Sequence, residues 1–238
     1  MTEKLRETLM PLYKELINSV SGFNYYKAFF CVQWGKNFPI QRNCGILFVG
    51  RATNGWVSCE EDIETLFGKS EYAIFNRNDQ MQWVENLEGN TQGYNTRHSA
   101  FWRIIKNVSS HFYPANWSSY VAWSDVCKVA PFDGGNPSDS LYKAQLEDCK
   151  KILDAEIKIL SPKVVVFLTG QSWSKDFIRY LNKGQETHSV ETKLWGEFYE
   201  AKVYKIGEVI CIRTEHPQAK KESPNTKCLI NLISKYVD

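Results

Sequence analysis

The 238-residue chain is short of the features that assign a class at once. No apolar run approaches the roughly 20 residues of a membrane-spanning helix, which excludes a helical anchor. The start, Met1 to Glu7, is polar and leads into a helical pattern, so it does not read as a secretory signal. No two cysteines have CxxC spacing and no two histidines have HxxxH spacing, so no metal site is expected. The formal net charge is only +2, which does not demand a nucleic-acid partner but allows a local basic patch. A GxGxxG dinucleotide fingerprint is absent. Gly50-Arg51-Ala52-Thr53-Asn54-Gly55 has P-loop glycine spacing, but Trp56 and Val57 stand where that motif needs Lys and Ser/Thr. Without the lysine there is no charge for the phosphates, and an NTPase is excluded.

What is present describes an ordinary globular chain, 43% apolar and 24% charged, long enough for one sizeable core. The expected organisation is a single domain over 1–238, with 1–44 as an N-terminal helical extension and 68–96 as an irregular insertion. The seven cysteines are an odd number, and Cys127, Cys211 and Cys228 sit inside apolar runs. They read as buried free thiols in a reducing compartment, hence the cytoplasm.

Gly45 to Val49 is an uncharged apolar run, the pattern of a strand buried on both faces, and it is read as stopping at Gly50. Three more such runs follow: Tyr120–Asp125, Lys163–Leu168 and Val209–Arg213. Between them lie helical patterns at Arg97–Ser110, Ser140–Leu160 and Ser172–Leu181, with Asn225–Val237 closing the chain. Glu3–Val20 forms a further helix through Leu5, Leu9, Leu12, Leu16 and Val20, interrupted or kinked near Pro11. A short acidic helix is expected over Ser58–Phe67, and Leu194–Ile206 alternates like a hairpin arm. Phe23–Trp34 is aromatic-rich and ambiguous. The alternation predicts an α/β fold, a three-layer α/β/α sandwich around a central, mostly parallel four-stranded sheet.

Parallel strands bring their carboxyl ends to one edge, where open α/β sheets bind ligands. The loops at that edge carry Arg51–Asn54, Asp125, Gly170–Ser172 and His216. His216 follows a buried strand and is fixed by Pro217, which favours a functional role over a surface one. Asp125 is either a cap or a carboxylate reading the polar edge of a ligand. Lys220 and Lys221 are either solvated charges or contacts to a phosphate backbone. Gly170-Gln171-Ser172-Trp173-Ser174 approximates the G-x-S-x-G elbow of a serine hydrolase, with Ser174 for the second glycine and His216 in the right order.

Together these segments resemble the uracil-DNA glycosylase superfamily from Gly45 to the end. Ile46–Gly55 is similar to its first motif. Trp123–Pro131 with Gly135-Asn136-Pro137 is similar to its T-N-V-V-K-C-x-P-P-G-N segment. Cys149–Leu160 and Ser161-Pro162-Lys163-Val164-Val165-Val166 resemble the helix and strand that follow. Arg213–Gln218 contains the His-Pro of its second catalytic motif, and Ala100–Ile105 is similar to the Phe-Trp helix of its mismatch-specific branch.

The resemblance implies an enzyme that flips a uracil or related damaged base out of DNA and hydrolyses its N-glycosidic bond. His216 would stabilise charge on the leaving base and Asn54 would orient water. Asp125, Tyr94, Trp56, Gly50, Arg51 and Ala52 would hold the base, and Lys220 and Lys221 would contact DNA. The expected partner is single- or double-stranded DNA, bound by a monomer without cofactor, metal or membrane. Three departures matter. Arg51, Ala52 and Thr53 replace the usual carboxylate or asparagine after the glycine, and Asp125 replaces an asparagine. Gln218-Ala219-Lys220-Lys221 replaces the Ser and wedge residue after His-Pro. Cys149 matches one ligand of the iron–sulfur branch, but Val129 replaces another, and no cluster is expected. The alternatives are a non-catalytic nucleic-acid or nucleotide binder of the same fold, and a serine hydrolase using Ser172 and His216.

Overall fold

Val164–Leu168 has no polar side chain to leave in water, and all five residues are buried as a strand. The structure, a computed structural model, describes residues 1–38, 45–55, 63–70, 73–85 and 95–237. In chain order its elements are α1 (Thr2–Val20), β1 (Lys27–Phe29), β2 (Gln33–Trp34), β3 (Ile46–Ala52), α2 (Glu64–Phe67), α3 (Ala100–Phe112), β4 (Val121–Cys127), β5 (Val129–Pro131), α4 (Asp139–Leu160), β6 (Val164–Leu168), α5 (Gln171–Leu181), β7 (Glu191–Trp195), β8 (Tyr199–Ile206), β9 (Val209–Thr214) and α6 (Glu222–Ile233). The described part of 68–96 holds short 3-10 turns at Ile74–Asn76 and Gln82–Glu85. Residues 58–62 of the expected acidic helix lie outside the described residues, as do Cys44 and Cys59.

Among the described residues the main sheet has seven strands in the order β2-β4-β3-β6-β9-β8-β7. The four strands expected from the apolar runs are its centre, and β2, β8 and β7 extend it. β6 is parallel to both neighbours, with Val164 opposite Ile46 of β3 and Ile210 of β9. β8 is antiparallel to both β9 and β7, so the sheet is mixed. The α/β class holds, and the alternating stretch at Leu194–Ile206 supplies most of the antiparallel hairpin.

The chain divides into two compact units. The first comprises Met1–Gln33, Gly50–Asn78 and Ser124–Leu160. There α1 packs on α4, and the apolar side chains it buries are Leu5, Leu9, Tyr13, Leu16 and Val20. Tyr13, not Leu12, completes that face, and its hydroxyl donates to the carbonyl of Phe30. The helix runs on through Pro11. Pro11 and Glu7 are both exposed, so the carbonyl that loses its N–H partner faces water. The β1–β5 ribbon is antiparallel, with Lys27 opposite Pro131 and Phe29 opposite Val129.

The second unit comprises Trp34–Val49, Asp79–Trp123 and Ser161–Asp238. In it α5 packs on β9, and α3 packs on α6, where Arg103 Nε lies 3.0 and 3.1 Å from the two carboxylate oxygens of Glu222. Among the described residues no helix is long and apolar enough to cross a membrane.

Candidate functional site

In the first unit, β3 does not stop at Gly50 but continues through Arg51 to Ala52, and both of those residues are half-buried. The extension leaves a short loop, Thr53-Asn54-Gly55, with little slack. Asn54 Oδ1 accepts the backbone N–H of Gly135 at 3.0 Å, which stitches this loop to the one that follows β5. A Cβ on Gly134 would lie 2.7 Å from the same oxygen, and Gly134 has φ of +99°. A Cβ on Gly55, at φ +70°, would meet the Phe132 carbonyl at 3.4 Å. The positive φ at both positions, more than the space, is what favours glycine in the two loops. Gly134→Ala should therefore destabilise the protein by about 1–3 kcal/mol, read as a lower thermal midpoint. An unchanged midpoint would show that the loops are not clasped.

In the sequence Thr53 stands out only as one of three residues that replace the usual carboxylate or asparagine. It is buried at 2% exposure, and its hydroxyl has no hydrogen-bond partner among the described residues. A small polar residue between a strand and a glycine gives no signal of such burial.

Asp125 lies inside β4, which runs two residues further than the apolar pattern suggested, and it is 1% exposed. That placement removes the helix-cap reading. Side chains alternate along a strand, so Asp125 faces away from its neighbour Ser124. On Ser124's side is a fully buried network. Lys128 Nζ lies 2.8 Å from Glu156 Oε2, and Ser124 Oγ donates to that same oxygen at 2.6 Å. Lys128 Nζ also donates to Ser124 Oγ at 2.6 Å and sits 5.6 Å from the Phe30 ring centroid. Burial pushes the Glu156 carboxyl above its ordinary range, and Lys128 opposes the shift.

Beside the clasped loops is a cavity of about 570 Å³ lined by Tyr25, Tyr26, Pro131, Asp133, Asn136 and Ser138. Phe132 N–H donates to the Tyr26 carbonyl at 2.9 Å, extending the β1–β5 ladder, and both side chains are exposed. The part played by Tyr25 and Tyr26 was hidden in the ambiguous aromatic stretch.

In the second unit, β9 delivers His216 two residues past its end. His216 is half-buried, and its Nδ1 accepts the backbone N–H of Gln218 at 3.3 Å. A backbone amide can only donate, so in the neutral ring the proton sits on Nε2. The turn closes with Lys220 N–H on the Pro217 carbonyl at 3.1 Å and Ala219 at φ +60°. Lys220 Nζ lies 5.4 Å from the Tyr199 ring centroid, and Lys221 is exposed.

Ser172 is exposed in the first turn of α5, and among the described residues it has no hydrogen bond to a histidine. Ser174, where the elbow needs glycine, is buried and donates to the Gly170 carbonyl at 2.7 Å. Trp56 and Tyr94 lie outside the described residues.

Cys31, Cys127, Cys149, Cys211 and Cys228 are free and buried. Burial pushes Cys31, Cys149 and Cys211 up to about 12, which keeps these thiols protonated. Cys149 donates to Gln145 Oε1 at 3.3 Å and accepts the Lys128 N–H at 3.4 Å. Among the described residues no group of three or more His, Cys, Asp or Glu side chains is placed to hold a metal ion.

The profile of the Uracil DNA glycosylase superfamily matches residues 41–232. The chain belongs to that superfamily. It is also similar to the type-4 uracil-DNA glycosylase of Sulfurisphaera tokodaii, at 31% identity over 107 residues, which cover 45% of this chain and 44% of that protein. The match thus spans less than half of that relative's length. The superfamily span contains the β3 loop, Asp125, the Gly135-Asn136-Pro137 loop and His216. It begins after α1, β1 and β2, so Tyr25 and Tyr26 fall before it.

Proposed function

We propose that this superfamily member is a DNA glycosylase that hydrolyses the N-glycosidic bond of an extruded uracil or related damaged base. The observation that carries the reading is that His216 Nδ1 accepts the Gln218 N–H, which puts the proton of the neutral ring on Nε2. With Nδ1 engaged by Gln218, the Nε2–H is the donor the ring offers, and bond cleavage puts negative charge on the departing base. A fixed donor aimed at charge that develops only in the transition state lowers the barrier without tightening ground-state binding.

Asp125 supplies a buried acceptor for a donor on the base, such as the N3–H of uracil. Gly50, Arg51 and Ala52 form the backbone floor at the strand end. Asn54 orients water through the second lone pair of Oδ1, since Gly135 takes the first. Trp56 and Tyr94 are assigned to stack on the base, and Lys220 and Lys221 to meet phosphates. The chain acts in this reading as one monomeric domain without a cofactor.

The test is release of free base from uracil- and lesion-containing oligonucleotides, single-stranded and duplex. Release that depends on His216 supports the reading. Folded protein that releases nothing from any of them overturns it. Salt-sensitive DNA binding without release would instead identify a non-catalytic binder, which Arg51, Ala52 and Thr53 in place of the usual carboxylate favour.

A further inference from the structure

The turn between β7 and β8 presents two large apolar side chains that the second unit leaves in water. Leu194 is 72% exposed and Phe198 84% exposed, while Trp195 between them is 4% exposed. Strand alternation explains the contrast. Leu194 is paired with Glu200 on one face of the hairpin, and Trp195 and Tyr199 pair on the other. Gly196, at φ +64°, makes the tight turn that projects the tip.

The tip is fixed to the loop that carries His216. Trp195 Nε1 donates to Thr214 Oγ1 at 2.9 Å, and Thr214 also donates to Asn225 Oδ1 at 3.3 Å. Trp195 and Tyr199 rings are 4.8 Å apart, and Lys220 Nζ lies over the Tyr199 ring, 5.4 Å from its centroid. Thr214 precedes His216 by two residues and Lys220 follows it by four, so hairpin tip and loop form one patch.

Cations outnumber carboxylates around it. Glu200 is shared by Lys202 and Arg213 at 3.0 Å each, which leaves that cluster net positive. Lys193, Lys220 and Lys221 add to it, against Glu197, Glu215 and two further carboxylates, Glu191 and Glu222, which are paired with Lys235 and Arg103. Two exposed apolar side chains within a basic surround match what enters a base stack between two phosphate backbones.

We propose that the β7–β8 tip is the wedge of this protein. Phe198, flanked by Leu194, inserts into duplex DNA at the step beside the extruded nucleotide, while Lys220 and Lys221 face the phosphates. An extruded base leaves a gap that re-stacking would close, and an aromatic ring in the gap holds it open. The residues directly after His216-Pro217 are Gln218-Ala219-Lys220-Lys221, none of them suited to the task. The assignment rests on the base-extruding function proposed above, and its test is chosen so that each can fail alone.

Full-length protein and Phe198→Ala are compared on single-stranded and duplex uracil oligonucleotides. Loss of a wedge costs about tenfold or more in duplex release and leaves single-strand release within about twofold. Phe198→Leu retains most of the duplex rate. Duplex binding is followed in parallel by fluorescence of 2-aminopurine placed beside the target nucleotide, which needs no chemistry. The signal rises with the parent protein and stays low with Phe198→Ala. Equal rates on duplex for parent and variant, an equal loss on both substrates, or an unchanged 2-aminopurine signal would overturn the proposal. If the parent releases no base, the fluorescence arm alone decides, and a parent that leaves the duplex stacked overturns it.

Discussion

Replacing His216 with alanine is expected to lower base release by about 10²–10³-fold while leaving DNA affinity close to that of the parent. The magnitude follows from removing one preorganised donor, and the split between rate and affinity follows from when that donor acts. The base carries no net charge before the bond breaks, so Nε2–H contributes little to binding. It contributes most when charge has moved onto the departing ring. Single-turnover rates at saturating protein separate the two quantities. A variant that binds less tightly but cleaves at the parent rate would assign His216 to positioning. Gln218 contributes a backbone N–H only, so Gln218→Ala should preserve both the hydrogen bond and the rate.

The second large effect is on stability. Lys128→Met should destabilise the protein by about 3–5 kcal/mol, because Glu156 is left buried without its cation. Both side chains are 0% exposed, so water cannot take over. Against a typical total of about 5–15 kcal/mol, this is a large share. Adding Glu156→Leu should recover much of it, since an uncharged pair of similar volume carries no desolvation penalty.

The pH dependence has a definite sign. Burial already raises the Glu156 pKa in the folded state, and losing Lys128 raises it further. The folded variant then holds a proton that the unfolded chain releases, so its stability falls as pH rises through the interval between the two pKa values. The deficit measured by urea unfolding should be larger at about pH 8 than at about pH 5. A deficit equal at both would mean that Glu156 does not carry the effect.

The parts of the fold legible in the sequence are those whose environment is uniform along the chain. Val164–Leu168 is buried on both faces, so its apolar run has no interruption, and the same holds for the start of β3 and for β9. β1 and β2 are three and two residues long, and β1 exists because Val129–Pro131, a hundred residues away, supplies its partners. No local pattern encodes that. At the candidate site, the placement of His216 just past a strand end was legible from the apolar run and the proline that follows. Asp125 was legible as a residue but not as a mid-strand one, because the apolar run breaks at its own charge. The Asn54–Gly135 clasp joins positions 81 residues apart and was not. The burial of Thr53 likewise depends on neighbours that the sequence does not order.

The β1–β5 ribbon also fixes where the chain can be trimmed. The superfamily span starts at residue 41, and a protein cut to it would keep β5 but lose the whole of β1. Val129–Pro131 would become an open edge, and α4 would lose the helix packed on it, including the contacts of Ser19 with Asp148 and of Glu15 with Lys151. Such a fragment should aggregate where the intact chain does not. The minimal unit for expression is set by the partner strand at Lys27–Phe29, not by the boundary of family likeness.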